Sequence, residues 1–386
     1  MNRNIKHLLH GLLCGCVTAV LSLSAEAAPR PVKIGAIFSV TGPAAFLGAP
    51  EARTAQMLVE QINKQGGVNG ARLELILKDS GGSPEKAVSF AKQLIEEEKV
   101  LAIIGPSTSG ETMQIKALCE ENQMILISCA AAEVIVNPVA KYVFKTPQKD
   151  SQAITWIYRT MTAKGLRKIA VLTSNDGFGA AGKKLLEDMA KTEGIEIAVN
   201  EVYDKAATDL TDILTKVKGA GVQAVVNWSI VPAQSIVAKN MRQIGITAPL
   251  FQSHGFANRK YVEQAGVAAE GILFPAGQLM VVDSLPDSHP QKKILAAYKA
   301  EYESRYKEDV SAFGGYAHDA LMIIVEALRK AGSPDRVKVR DAIENLQGFV
   351  GVSGIFNFSP TDHTGLSLEA FEMLTVKDGK FTIYKQ

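Results

Sequence analysis

The sequence predicts an α/β protein with two doubly wound lobes, each built on a parallel sheet. Short apolar runs alternate with helical stretches along the whole chain, which is the pattern of parallel strands buried on both faces. The two halves share this strand–helix order, so they indicate two similar units. At 386 residues, the chain also exceeds what one hydrophobic core usually holds.

In the first unit, buried strands alternate with helices that begin or end at glycine or proline. A glycine-punctuated loop from Thr41 to Gly48 follows the first strand, and Gly66-Gly67 ends the first helix. The predicted strands are Val32–Phe38, Arg72–Lys78, Val100–Ile104 and Met124–Ser128, and the predicted helices are Glu51–Lys64, Pro84–Glu97 and Glu111–Glu121.

A second unit of the same kind begins after Thr146-Pro147, and a C-terminal third follows it. Its predicted helices are Ser151–Ala163, Ala180–Thr192, Leu210–Lys218 and Ala233–Ile244, and its strands are Lys168–Thr173, Glu196–Tyr203 and Ala224–Trp228, with short strands near Leu250 and Ile272. The C-terminal third predicts helices at Gln291–Tyr306, Tyr316–Ala331 and Val337–Leu346, then β-rich segments at Gly354–Phe358 and Ala370–Tyr384.

The N-terminus predicts an export signal and therefore a periplasmic protein. Arg3 and Lys6 precede an apolar run over residues 8–23, and a small-x-small triplet ends at Ala27, where we expect cleavage. A membrane anchor is the alternative, but the run is shorter than the ~20 apolar residues that a spanning helix needs. A lipoprotein site at Cys16 is weaker, because the apolar stretch continues past it.

Charge and cysteine content exclude several classes of protein. The formal net charge of +2 argues against nucleic acid or an anionic membrane as the main partner. Only Cys119 and Cys129 lie beyond the predicted leader, so no disulfide scaffold is expected, and two buried free thiols are the simplest interpretation. No histidine stands near either cysteine at metal-ligand spacing, so we expect no metal site.

Residues 177–182 match the GxGxxG pattern of dinucleotide-binding proteins, with Glu201 about twenty residues onward. Two details count against that interpretation. Three residues separate Gly177 from the predicted strand, and Asp176 places a negative charge where a pyrophosphate would bind. We expect no cofactor, and we interpret the glycines as a turn that presents Phe178.

Other enzyme signatures are absent from the sequence. It contains no GxxxxGK[ST], HExxH or GxSxG motif, and residues 105–110 are one residue too long for a nucleophile elbow, with Pro106 restricting the turn. The sequence therefore predicts a protein that is not an enzyme and has no catalytic residues.

Two loops at the predicted carboxyl ends of neighbouring strands could hold an anion. Thr108 and Glu111 have capping-box spacing, so free N–H groups and the hydroxyls of Ser107, Thr108 and Ser109 could bind a carboxylate. The small residues after Ser128 leave the backbone accessible. An ordinary capped helix and a tightly packed turn are equally consistent with these two patterns.

Several segments, in the same order along the chain, resemble the branched-chain amino acid (Leu/Ile/Val) family of periplasmic solute-binding proteins of ABC transporters. The similarity covers almost the whole chain after the leader. Its most specific pieces are Ile34–Gly35, Ser39–Pro43, Ile62–Gly70, Asp79, Pro84–Ala87, Ile104–Pro106, Ser128 before the alanine run, Asp176–Gly179 and Ala269–Gly271.

This resemblance implies the type I periplasmic binding protein fold. Two Rossmann-like lobes are then joined by three crossovers, near Thr146, Ala276 and Phe356, and close on the ligand. The implied division is a signal peptide over 1–27, lobe I over 28–146 plus 277–356, and lobe II over 147–276 plus 357–386. The implied partners are ABC permease and ATPase subunits, and we expect a monomer. A sensory role on the same fold is the alternative.

The resemblance also implies the site. Ser109 and the backbone of Ala130, Ala131 and Ala132 would hold a ligand carboxylate, and the remaining wall would consist of Phe46, Leu47, Phe178, Ile230 and His254.

Three positions depart from the family pattern. Amino-acid binders usually place Ser or Thr at Ala132, Tyr near Ile230 and an acid at His254, and these groups hold the ammonium. Burying an ammonium without acceptors costs several kcal/mol. Trp228, with Phe178 and Phe46, could instead flank an aromatic ring. We therefore expect an aromatic or 2-oxo carboxylic acid, with a branched-chain amino acid as the alternative.

Overall fold

The computed structural model describes residues 30–385. The predicted signal peptide and its cleavage site lie outside the described residues. Within them, none of the helices is long and apolar enough to cross a membrane.

The first lobe is built on a sheet of five parallel strands in the order β2-β1-β3-β4-β5. The central strands are buried on both faces, as their apolar runs predict. The strands are β1 (Val32–Phe38), β2 (Leu73–Asp79), β3 (Ala102–Ile104), β4 (Ile125–Ser128) and β5 (Val143–Lys145), and the helices among them are α1 (Ala45–Lys64), α2 (Pro84–Glu96) and α3 (Ser109–Glu121).

The next part of the chain forms the parallel half of the second sheet. Its strands are β6 (Lys168–Ser174), β7 (Glu196–Tyr203), β8 (Ala224–Trp228), β9 (Leu250–Gln252) and β10 (Leu273–Ala276), and its helices are α4 (Asp150–Ala163), α5 (Gly177–Glu193), α6 (Thr211–Gly219), α7 (Ala233–Gln243) and α8 (Arg259–Ala265). β7 lies at the edge of the sheet, and its side chains alternate between exposed and partly buried.

The C-terminal part contributes to both lobes. Strand β13 (Glu372–Lys377) pairs antiparallel with β10, and β14 (Lys380–Ile383) pairs antiparallel with β13, which gives the order β14-β13-β10-β9-β8-β6-β7. Helix α10 (Ala312–Ala331) packs along α1 of the first lobe. The elements are α9 (Lys292–Tyr306), α10 (Ala312–Ala331), α11 (Arg336–Glu344), β11 (Phe349–Val350), β12 (Ile355–Phe356), β13 (Glu372–Lys377) and β14 (Lys380–Ile383).

The chain passes between the two sheets three times, after β5, after β10 and after β12. Gln148, in the first connection, contacts residues in or next to the other two connections. Its Nε2 donates to Ser353 O, just before β12, at 2.8 Å and to Ala370 O, in the third connection, at 3.3 Å. A Cβ on Gly277, in the second connection, would lie 3.2 Å from the same nitrogen. The predicted two-lobed, three-crossover fold is confirmed, whereas the residue boundaries of the lobes stay a prediction.

Two helices begin earlier than the sequence predicts because side chains cap or support them. Asp176 Oδ1 accepts the N–H groups of Phe178 and Gly179, at 2.9 and 3.0 Å, so α5 begins at Gly177 rather than Ala180. α3 begins at Ser109 rather than Glu111, since Thr108 caps it through the Glu111 N–H as its spacing predicts.

The first helix begins at Ala45 rather than Glu51, although it contains Pro50. A proline has no N–H to donate to the carbonyl four residues back, which here belongs to Phe46. Asn258 of the second lobe donates its Nδ2 to that carbonyl at 2.8 Å. The orphaned carbonyl thus receives its hydrogen bond from across the cleft, a contact that local sequence does not reveal.

Candidate ligand-binding site

A small cavity lies between the lobes, where the carboxyl ends of the strands of both sheets face each other. The space open to the centre of a water molecule is about 10 Å³. Seven predicted site residues line this cavity: Leu47, Ser109, Ala130, Ala131, Phe178, Ile230 and His254. They follow β1, β3, β4, β6, β8 and β9, which agrees with ligand binding at the carboxyl ends of open parallel sheets.

The other three predicted residues lie just outside the lining. Phe46 packs its ring edge-on against Tyr261 of the second lobe, with centroids 5.2 Å apart. Ala132 is fully buried, and its N–H donates to Ser109 Oγ at 3.2 Å. Trp228 stacks behind Phe178 at 5.4 Å, so it supports the cavity wall from the second row.

The cavity lining also includes Ser107, whose hydroxyl the sequence offers as a possible anion ligand. Four further lining residues were not predicted: Cys129, Gly255, Phe313 and Tyr316. Phe313 and Tyr316 come from α10, about two hundred residues beyond the first-lobe loops, and no local motif marks them. Cys129 is buried, and burial raises the pKa of its thiol well above the usual value, which makes it unreactive.

The predicted carboxylate cradle corresponds to the start of α3 and the loop after β4. Ser109 Oγ accepts the Ala132 N–H, so its own hydrogen remains to be donated to an acceptor in the cavity. The helix N-terminus adds partial positive charge at the same place. Behind it, Ser107 donates to the buried carboxyl of Glu51, whose pKa is raised well above its usual range by burial.

His254 is the polar group on the opposite wall. Its side chain is 2% exposed, and the rings of Phe178, Trp228 and Phe371 surround it with centroids 5.5 Å away. Burial, and then the charge of Lys145, lower its pKa to about 3, so the imidazole is neutral at physiological pH. A neutral ring offers one nitrogen as a donor and the other as an acceptor.

This lowered pKa predicts a pH dependence of stability. Between about pH 3 and 6.5, His254 binds a proton in the unfolded chain but not in the folded one. The stability that the neutral, buried His254 contributes is therefore complete above pH 6.5 and is lost as the pH falls towards 3. One proton corresponds to a slope of about 1.4 kcal/mol per pH unit. Urea unfolding from pH 4 to 7 should show a shallower rise of stability in His254→Gln than in wild type. His289→Gln, outside the cavity, is the control, and equal slopes for wild type and His254→Gln would contradict the assignment.

The glycines of the GxGxxG segment each permit a close contact. A Cβ on Gly179 would lie 1.9 Å from Ser174 O, and one on Gly182 would lie 2.1 Å from the Trp228 ring. A Cβ on Gly177 would lie 2.9 Å from the Cα and N of Gly110, at the start of α3 in the other lobe. The motif therefore packs α5 onto its own sheet and lets the two lobes touch backbone to backbone beside the cavity.

Ion pairs also bridge the lobes at the rim of the cleft. Arg259 of α8 pairs with Asp309 at 2.7 Å, and Lys260 pairs with Glu308 at 3.3 Å, both acids lying in the loop before α10. Exposed pairs of this kind each contribute about 0–1 kcal/mol, so they fix the relative position of the lobes more than they hold them together.

Comparison with known proteins agrees with this geometry. The profile of the family described as "Periplasmic binding protein" matches residues 31–380. A leucine-, isoleucine-, valine-, threonine- and alanine-binding protein of Pseudomonas aeruginosa is 27% identical, over 92% of this chain and 89% of that protein. A Leu/Ile/Val-binding protein of Rhizobium johnstonii is also 27% identical, over 94% of this chain and 97% of that protein.

Solved structures show the same architecture. An extracellular ligand-binding receptor from Rhodopseudomonas palustris HaA2 superposes with a TM-score of 0.86 at 25% identity, covering 92% of this chain and 99% of that one. A branched-chain amino acid transporter substrate-binding protein from Streptococcus pneumoniae, solved in complex with isoleucine, gives 0.80 at 26% identity, with 91% and 97% covered. The chain belongs to the periplasmic binding protein family, within which it resembles the Leu/Ile/Val-binding proteins.

Proposed function

We propose that the protein is the extracytoplasmic solute-binding component of an ABC importer and that its ligand is an aliphatic amino acid. The cavity supports this, because Ser109 at the start of α3 offers a hydroxyl to a carboxylate, and Leu47, Ile230 and Phe178 provide apolar walls for a side chain. The relatives named for leucine, isoleucine and valine favour an aliphatic amino acid over the aromatic or 2-oxo acid that the sequence predicts.

The remaining parts of the proposal follow from the family. Its members are solute-binding proteins rather than enzymes, so we infer that this chain delivers ligand to permease and ATPase subunits in the membrane. We further propose that the leader directs export to the periplasm and that the exported protein is a monomer.

One observation favours the aromatic or 2-oxo acid as a second candidate. None of the described residues that line the cavity is an acid, so no carboxylate faces the position of a ligand ammonium directly. The stacked pair of Phe178 and Trp228, with His254 edge-on to both, is also a suitable wall for an aromatic ring.

Titration calorimetry of the exported chain distinguishes the two candidates. Leucine, isoleucine and valine should bind at least about tenfold tighter than phenylpyruvate and the 2-oxo analogue of leucine, a gap of about 1.4 kcal/mol. Mass spectrometry of ligand released from freshly purified, denatured protein provides an independent identification. If oxo or aromatic acids bind tighter than every aliphatic amino acid, the second candidate replaces the first.

A further inference from the structure

His254 and Asp150 form a buried polar pair whose hydrogen bonds are incomplete. His254 Nε2 lies 3.5 Å from Asp150 Oδ1, and the two side chains are 2% and 1% exposed. Among the described residues, neither ring nitrogen has a hydrogen-bond partner. The Asp150 oxygens have none either, beyond a weak approach by the backbone of Glu133. His254 lines the cavity, whereas Asp150 does not.

Unpaired polar groups in the interior are costly. Each unsatisfied buried group costs about 1–3 kcal/mol, and more when it is charged, so most such groups are completed by a partner. Three aromatic rings surround the imidazole. The cavity is therefore the side from which a further hydrogen-bond partner can reach it.

We propose that Asp150 and His254 together recognise the amino group of the ligand. In this arrangement Asp150 accepts the Nε2–H of the neutral ring, and Nδ1 accepts an N–H of the ammonium in the cavity. The negative charge that compensates the ammonium is then that of Asp150, which lies behind His254 and does not line the cavity itself. Asp150 is thus a positioning residue for specificity, and the inference rests on the proposed amino-acid ligand.

The charged groups around Asp150 support its assignment to this role. Lys145, also fully buried, donates its three hydrogens to the carbonyls of Ala131, Pro147 and Gln148 at 2.8, 3.0 and 2.8 Å, so none is left for a ligand. Burial raises the pKa of Asp150, Lys145 opposes this, and Glu133 adds to it. All three Lys145 hydrogens are thus occupied by backbone carbonyls, so Lys145 acts on the Asp150 carboxylate through its charge and not through a hydrogen bond.

The test uses leucine and its 2-oxo analogue, which share a carboxylate and a side chain and differ in the amino group. In calorimetry of the full exported chain, Asp150→Asn should lower the affinity for leucine by roughly 10- to 100-fold, which is the contribution of a charge-assisted hydrogen bond. The affinity for the oxo analogue should change by no more than about threefold, because this ligand has no ammonium group. Retained binding of the oxo analogue also shows that the variant is folded.

A pH profile separates this role from a structural one. Because an ammonium favours the ionised form of Asp150, whose pKa burial raises to about 7, leucine should release up to one proton on binding below that pH. Its affinity should fall by up to about tenfold per pH unit on acidification, and that of the oxo analogue should not. Other charged groups lie nearby: Lys145 and Glu133 act on Asp150, and Lys149 and Asp362 act on Lys145. The control for their effect is the pH profile of leucine affinity in Asp150→Asn, which should be flat.

Two further variants complete the design. Glu51→Gln alters another buried carboxyl near the cavity and should leave the ratio of the two ligands unchanged. His254→Glu in the Asp150→Asn background places an acid directly on the cavity wall and should restore leucine binding.

The possible outcomes are separable. Suppose that wild type binds leucine. If Asp150→Asn then leaves the ratio of leucine affinity to oxo-analogue affinity unchanged, or if Glu51→Gln removes the difference between the two ligands, this inference is overturned and the proposed ligand stands. If wild type binds no amino acid, the proposed ligand fails first.

Discussion

Gly177→Ala should weaken ligand binding by roughly 10- to 100-fold while leaving the unfolding midpoint of the ligand-free protein almost unchanged. The added methyl group would lie 2.9 Å from the Cα and N of Gly110, and neither backbone atom can move without displacing the start of its helix. The three atoms nearest to this methyl all belong to the first lobe, and alanine favours the helix. The substitution therefore obstructs the approach of the lobes and not their folding.

Gly110→Ala is the matched control for this prediction. A Cβ on Gly110 would lie 3.9 Å from the Gly177 N, which is ordinary van der Waals contact, so its binding should stay near the wild-type value. Calorimetry gives the affinities, and small-angle scattering with saturating ligand should show a larger radius of gyration for Gly177→Ala than for wild type. Wild-type affinity in Gly177→Ala would show that closure does not need this contact.

Asp319→Ala should lower the free energy of unfolding by about 2–6 kcal/mol, because it leaves two buried N–H donors unsatisfied at about 1–3 kcal/mol each. The Asp319 carboxylate is fully buried and accepts the N–H groups of Val352 and Ser353 at 2.8 and 2.7 Å, with His318 Nδ1 at 2.9 Å. These bonds hold the segment that leads into the third crossover.

Urea unfolding monitored by circular dichroism measures this loss. Asp319→Asn keeps one carbonyl oxygen as an acceptor and should fall between wild type and Asp319→Ala. A loss below about 1 kcal/mol for the alanine variant would mean that water replaces the carboxylate at low cost.

The alternation of strands and helices was predictable because local composition determines it. Strands buried on both faces must be apolar, and helix starts need a capping oxygen, so β4 and the Thr108–Glu111 cap are visible in the sequence alone. The strand β5 was missed because it has only three residues, Val143–Lys145, and its pairing with β4 is a long-range property.

The candidate site was predictable only in part, for the same reason. Residues that follow strand ends, such as Ser109 and His254, can be placed from the order of the elements. Phe313 and Tyr316 reach the cavity from a helix far along the chain, and Asp150 reaches His254 from the first crossover. The sequence therefore shows that position 254 of the cavity wall is a histidine and not an acid, but it does not reveal that Asp150 lies behind it.

The burial of the cavity lining has a kinetic consequence. Leu47, Ser109 and His254 are each only 2% exposed, so a ligand among them has no route to solvent while the lobes stay in contact. Its residence time is then set by how often the lobes separate, and chemically different ligands of similar affinity should leave at similar rates. Because a ligand that contacts both lobes must lose its contacts with one of them before the lobes separate, affinity differences should appear in the rate of lobe separation and therefore in dissociation. The importer proposed above would therefore have to separate the lobes itself, since waiting for spontaneous escape would limit transport to the opening rate.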